Sequence, residues 1–114
     1  MSEKLKSIIG ARVKAARKAC NLTQSALAEA VDRTTEAMSN IERGKSLPPL
    51  DLLERLGVVL NCTIAAMVEM PAGDGADIER ARLETELMMV GKSLPIEQLR
   101  VAVRQIGALQ IRGN

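Results

Sequence analysis

The chain has 114 residues and contains no Phe, Tyr or Trp, yet 46% of it is apolar. Its core must be built from Leu, Ile, Val, Met and Ala. Strands draw on β-branched and aromatic residues, whereas Leu, Met and Ala lead among helix formers, so the composition predicts an all-α fold. The apolar fraction is too high for a chain disordered throughout. The length fits one domain, or a small domain with an appendage.

The missing residue types also restrict chemistry. Without His, the commonest general base and metal ligand are absent. No Gly-rich phosphate loop or nucleophile elbow occurs. The expectation is a protein that is not an enzyme and needs no metal or cofactor. Without aromatic rings there is no platform for stacking unpaired bases, which disfavours most RNA- and single-strand-binding modules. Cys20 and Cys62 lack metal-ligand spacing and read as two small reduced apolar residues rather than a disulfide. No apolar run reaches the ~20 residues of a membrane span. The start, "MSEKLKSII", has neither the apolar core nor the cleavage site of a signal peptide. Cytoplasmic residence, with no membrane partner, is expected.

Net charge is +2, but residues 1–45 hold nine Lys/Arg against five Asp/Glu, while residues 46–114 hold seven against nine. A basic first part is compatible with a polyanionic partner.

Apolar spacing predicts a first helix over about residues 5–20, with Ile9, Val13, Ala16 and Cys20 on one stripe and Lys14, Arg17 and Lys18 on the other face. Asn21 reads as its stop. Thr23 reads as the cap of a short second helix, "QSALAEA", with Leu27, Ala28 and Val31 inward. After an Asp32-Arg33 turn, Thr34 caps a third helix through about Arg43, ended by Gly44. A fourth helix follows over about 49–60, and Thr63 caps a fifth, "IAAMVEM". "PAGDGA", residues 71–76, reads as a linker. Two further helices are expected over about 77–90 and 95–111. The pattern therefore divides into a five-helix domain at 1–70, the linker, and a helical segment at 77–114.

Two short helices joined by a tight turn form a helix-turn-helix arrangement. The run "LTQSALAEAVDRTTEAMSNIERGKSLPPLDLLERL" resembles the phage-repressor-like (lambda repressor/Cro, Xre-type) helix-turn-helix family. The pattern L-T-Q-x-x-L-A falls on Leu22, Thr23, Gln24, Leu27 and Ala28. The pattern I-x-x-I-E-x-G-K falls on Met38, Ile41, Glu42, Gly44 and Lys45. The resemblance covers about residues 6–69 and implies a five-helix lambda-repressor-like domain that binds double-stranded DNA. Two positions depart from the family: Asp32 stands where Gly is usual in a left-handed turn, and Arg33 replaces an apolar residue.

On the third helix, Met38 and Ile41 fall on one face and the polar residues on the other. By resemblance, the outward Thr35, Glu36, Ser39 and Asn40 match base-contacting positions in the major groove. An Asn amide can grip adenine through two hydrogen bonds, and a Glu can accept from a cytosine amino group. Gln24, at the start of the second helix, and Arg43, Lys45 and Ser46, after the third, are the expected phosphate contacts. Arg12 and Glu42 both sit on core-facing stripes, where unpaired charges are costly, so the expectation is a structural ion pair between them. The family resemblance implies the same pairing.

Beyond the linker, Leu83 and Leu87 lie on one stripe, with Ile96, Leu99, Val103 and Ile106 on another. These stripes are broader than a short hairpin can bury alone. Dimerisation is expected, giving a homodimeric repressor. The other reading open at this point is an antitoxin-like or bridging module whose C-terminal helices bind a different, unknown protein.

Overall fold

The computed structural model describes residues 2–71 and 78–113. Seven α-helices and no strand occur among them: α1 (Ser2–Ala19), α2 (Gln24–Ala30), α3 (Thr35–Glu42), α4 (Leu50–Leu60), α5 (Ile64–Val68), α6 (Ile78–Ser93) and α7 (Ile96–Gly113). Apart from Pro71, the expected linker 71–76 lies outside the described residues.

The helix boundaries have local causes. Thr23, Thr34 and Thr63 each place a side-chain oxygen 3.0 Å from the third N–H of the helix they open, satisfying a donor that has no partner within the helix. Such a cap stabilises a helix by about 1 kcal/mol. Asn21, Asp32 and Asn61 adopt left-handed backbone, with φ of 58°, 57° and 55°. Asn and Asp are the non-glycine residues that enter this region most readily, so Asp32 fills the usual glycine position of the turn.

The core gathers Ile9, Val13, Leu27, Met38, Leu52, Leu56, Leu60 and Met67 from α1 to α5, with Cys62 at its edge. Both cysteines are free thiols. At Gly57 a Cβ would stand 2.5 Å from the Cys62 carbonyl oxygen in the turn after α4, so only glycine fits there.

α6 lies along α1. Its inward residues are Ala81, Thr85 and Met89, all buried, with Met88 partly buried beside them. The Thr85 hydroxyl donates to the Ala81 carbonyl at 2.9 Å, so this buried polar group is satisfied within its own helix. At the far end, Lys92 Nζ donates to the Asn61 carbonyl at 2.6 Å and ties α6 to the α4–α5 turn. The stripe expected from sequence, Leu83 and Leu87, points the other way, into solvent, together with Val90.

α7 forms no extended packing with any other described helix. The radius of gyration is 15.1 Å, against about 13 Å for a compact chain of this length.

Candidate nucleic-acid interface

The position of α3 is set from behind. Met38, Ile41 and Glu42 are buried, while Thr35, Glu36 and Arg43 are exposed and Ser39 and Asn40 half-exposed. The polar face anticipated from the sequence is thus the free face. Two glycines seat the C-terminal end of α3 against α1. A Cβ on Gly10 would overlap the Ile41 carbonyl oxygen and stand 2.8 Å from that of Glu42. Gly44 has a φ of +75°, and a Cβ there would lie 2.9 Å from the Cα of Ser7. Any larger residue at either place would push α3 off α1.

The expected Arg12–Glu42 pair is not formed. Glu42 is held instead by Arg17, whose Nε donates to Oε2 at 2.7 Å and whose Nη2 donates to Oε1 at 3.0 Å. Gln24 Nε2 adds a third donor to Oε1 at 3.0 Å. Arg17 Nη1 also reaches the Leu22 carbonyl at 2.8 Å. One carboxylate therefore joins α1, the start of α2 and the end of α3. Arg17, expected on the outer face of α1, is instead buried one turn beyond Val13, and it meets Glu42 in place of Arg12. Arg12, also buried, donates from Nη1 to the Met67 carbonyl at 3.0 Å and to that of Glu69. It closes the C-terminal end of α5, where a cation is favoured by the helix dipole.

The expected phosphate-contacting residues lie around the same end of α3. The Gln24 side-chain amide carries two N–H groups, and the bond to Glu42 uses one. Lys45 is exposed and Ser46 half-exposed, and their backbone amides fold back onto the Asn40 carbonyl at 2.9 and 3.3 Å. This places both residues beside the end of α3. Arg43 Nη2 donates to Asn40 Oδ1 at 3.0 Å, so the amide proposed to read a base is already oriented by a neighbouring cation. A cleft of about 500 Å³ between α1, the end of α3 and the start of α6 has Lys14, Lys18 and Arg43 among its lining residues. Arg33, half-buried at the turn, donates to the Asp32 carbonyl at 3.1 Å and stands 3.7 Å from the Asp51 carboxylate. A salt bridge thus occupies the place where the family usually packs an apolar side chain.

A family model described as a helix-turn-helix domain matches residues 8–70. The chain belongs to the helix-turn-helix family. No curated protein and no solved structure matches it. Within the helix-turn-helix domain, α2 and α3 are the paired helices, and α1, α4 and α5 supply the core that holds them. The domain is a DNA-binding fold, and the polar side of α3 is free. The sequence reading missed Arg17 and Gly10 as supports of that surface. An i, i+4 step from Val13 was the available signal for Arg17. For Gly10, a glycine in mid-helix was the signal, since it weakens a helix by about 1 kcal/mol relative to Ala unless it allows a close contact.

Proposed function

We propose that this helix-turn-helix protein is a transcriptional regulator of the phage-repressor-like (Xre) type. In this reading it acts by binding, as a homodimeric repressor that occludes promoters, and catalyses nothing. The domain at 1–70 binds DNA, residues 71–76 connect, and the helices within 77–114 associate. The observation that carries the reading is α3 itself, buried through Met38 and Ile41 and uncovered along Thr35, Glu36, Ser39 and Asn40. A helix of this kind enters the major groove with its N-terminal part against base edges. Gln24, Arg43, Lys45 and Ser46 surround it as phosphate contacts. Glu36 places one negative charge toward the duplex, which lowers affinity for arbitrary sequence and favours sites offering it a cytosine amino group.

The test is selection of bound fragments from a random duplex library, followed by titration at several salt concentrations. The expected outcome is a palindromic site with half-sites about 34 Å apart and binding that weakens steeply with salt. Recovery of no preferred sequence would overturn the reading.

A further inference from the structure

α6 is apolar on two opposite sides. Ala81, Thr85, Met88 and Met89 face α1, while Leu83, Leu87 and Val90, at steps of four and three, face solvent, with Leu94 continuing the spacing. A helix apolar on both sides belongs between two partners, and α1 is only one of them. α7 carries the complementary surplus: Ile96, Val103, Ile106 and Leu109 stand on one stripe with the half-buried Leu99. The aliphatic side chains on the two uncovered stripes are each between 43% and 67% exposed, Leu94 and Leu99 apart. At the rise of an α-helix the uncovered stripe of α6 spans about 11 Å from 83 to 90, with Leu94 just beyond the helix end, and that of α7 about 20 Å from 96 to 109.

Within one chain the two helices make no extended packing; the Leu99 side chain approaches α6 at Gly91, beside the junction. Only Leu94 and Pro95 separate α6 from α7. Pro95 accepts the first helical bond of α7 from Leu99 N–H at 2.9 Å, and its fixed φ sets the direction in which α7 departs. We propose that two copies exchange α7, each laying Ile96–Leu109 across the Leu83–Leu87–Val90 stripe of the other. The proposal rests on the homodimer reading given above and specifies its surfaces. A stable interface buries about 800 Å² per partner. Exchange covers both stripes of both chains, whereas pairing α7 with α7 alone would leave the outer side of α6 wet. The arrangement is a closed two-fold one, with each contact made twice.

Sedimentation of the full chain and of single variants tests this. The wild type should run as a dimer at micromolar concentration. Leu87→Glu and Val103→Arg should each halve the mass, with far-UV circular dichroism unchanged because both side chains are exposed. Val101→Glu, on the opposite side of α7, should remain dimeric. A one-to-one mixture of Leu87→Glu and Val103→Arg should restore the dimer, since one junction is then wholly native and the other brings Glu against Arg. Leu83→Glu with Ile106→Arg repeats the test on a second pair, should a first variant misfold. A dimeric Leu87→Glu, or a mixture that stays monomeric, would overturn the exchange and leave the homodimer standing. A monomeric wild type would overturn both.

Discussion

Arg17 grips Glu42 through two N–H donors, at 2.7 and 3.0 Å, with the Glu42 side chain 1% exposed. This buried pair crosses from α1 to α3, so it fixes the free polar side of α3 as well as the fold. Removing one partner leaves the other charge buried and unpaired, which is destabilising by about 3–5 kcal/mol. Arg17→Met and Glu42→Leu should each lower stability by that order in urea titrations. The double variant should recover a large part of the loss, because replacing both charges by apolar groups removes the orphan. Losses that simply add would refute the coupling.

The polar side of α3 and its surroundings should separate in DNA binding. Asn40→Ala should lose about 1–3 kcal/mol at one or two base positions and little elsewhere. Lys45→Ala should weaken binding to every sequence alike and flatten the salt dependence by about one unit. Titrations of both variants against the selected site and a scrambled duplex distinguish the two effects. Superimposable profiles would refute the division.

Gly10→Ala tests the seat of α3. The added methyl meets backbone carbonyl groups, of Ile41 and Glu42, which belong to the end of α3. Overpacking of this kind lowers stability by about 1–3 kcal/mol. Thermal unfolding should therefore begin several degrees lower, and DNA affinity should fall even at temperatures where the chain remains folded. An unchanged affinity would mean that α3 reads DNA without support from α1.

Burial pushes the Cys62 thiol above its ordinary range, with the charges of Lys92 and Arg12 offsetting part of the rise. The thiolate is the reactive form. In a Cys20→Ser background, alkylation at neutral pH should be slow in the native protein and speed up sharply on unfolding. Its rate should rise with pH through a midpoint above that of the unfolded chain. Since the raised value favours the neutral thiol in the fold, this contribution to stability is present below the unfolded midpoint and lost as pH climbs through the folded one. Equal labelling rates in the two states would contradict the buried assignment.

Much of the domain was legible in the sequence because its signals are local. Thr caps, left-handed Asn and Asp positions, and stripes at steps of three and four mark α1 to α5 to within one to three residues at most ends. The outward face of α3 followed from Met38 and Ile41 alone. Less legible were features set by contacts between helices. Arg12 and Arg17 are both long cations on one helix, and which of them meets Glu42 depends on how α1 is rotated against α3. α6 was read from its strongest apolar residues, Leu83 and Leu87. Its packed side is instead built from Ala81 and Thr85, whose value lies in being small enough for α1 to come close.

α1 is held on one flank by the end of α3 and on another by α6. If two copies join through their α6 and α7 helices, that shared shaft turns the assembly into a caliper whose jaws cannot open independently. Lengthening an operator's central spacer by one base pair turns one half-site by about 35° relative to the other. With Gly10 and Gly44 bracing α3 on α1, a jaw does not reorient its α3 alone, so the lengthened operator should bind more weakly.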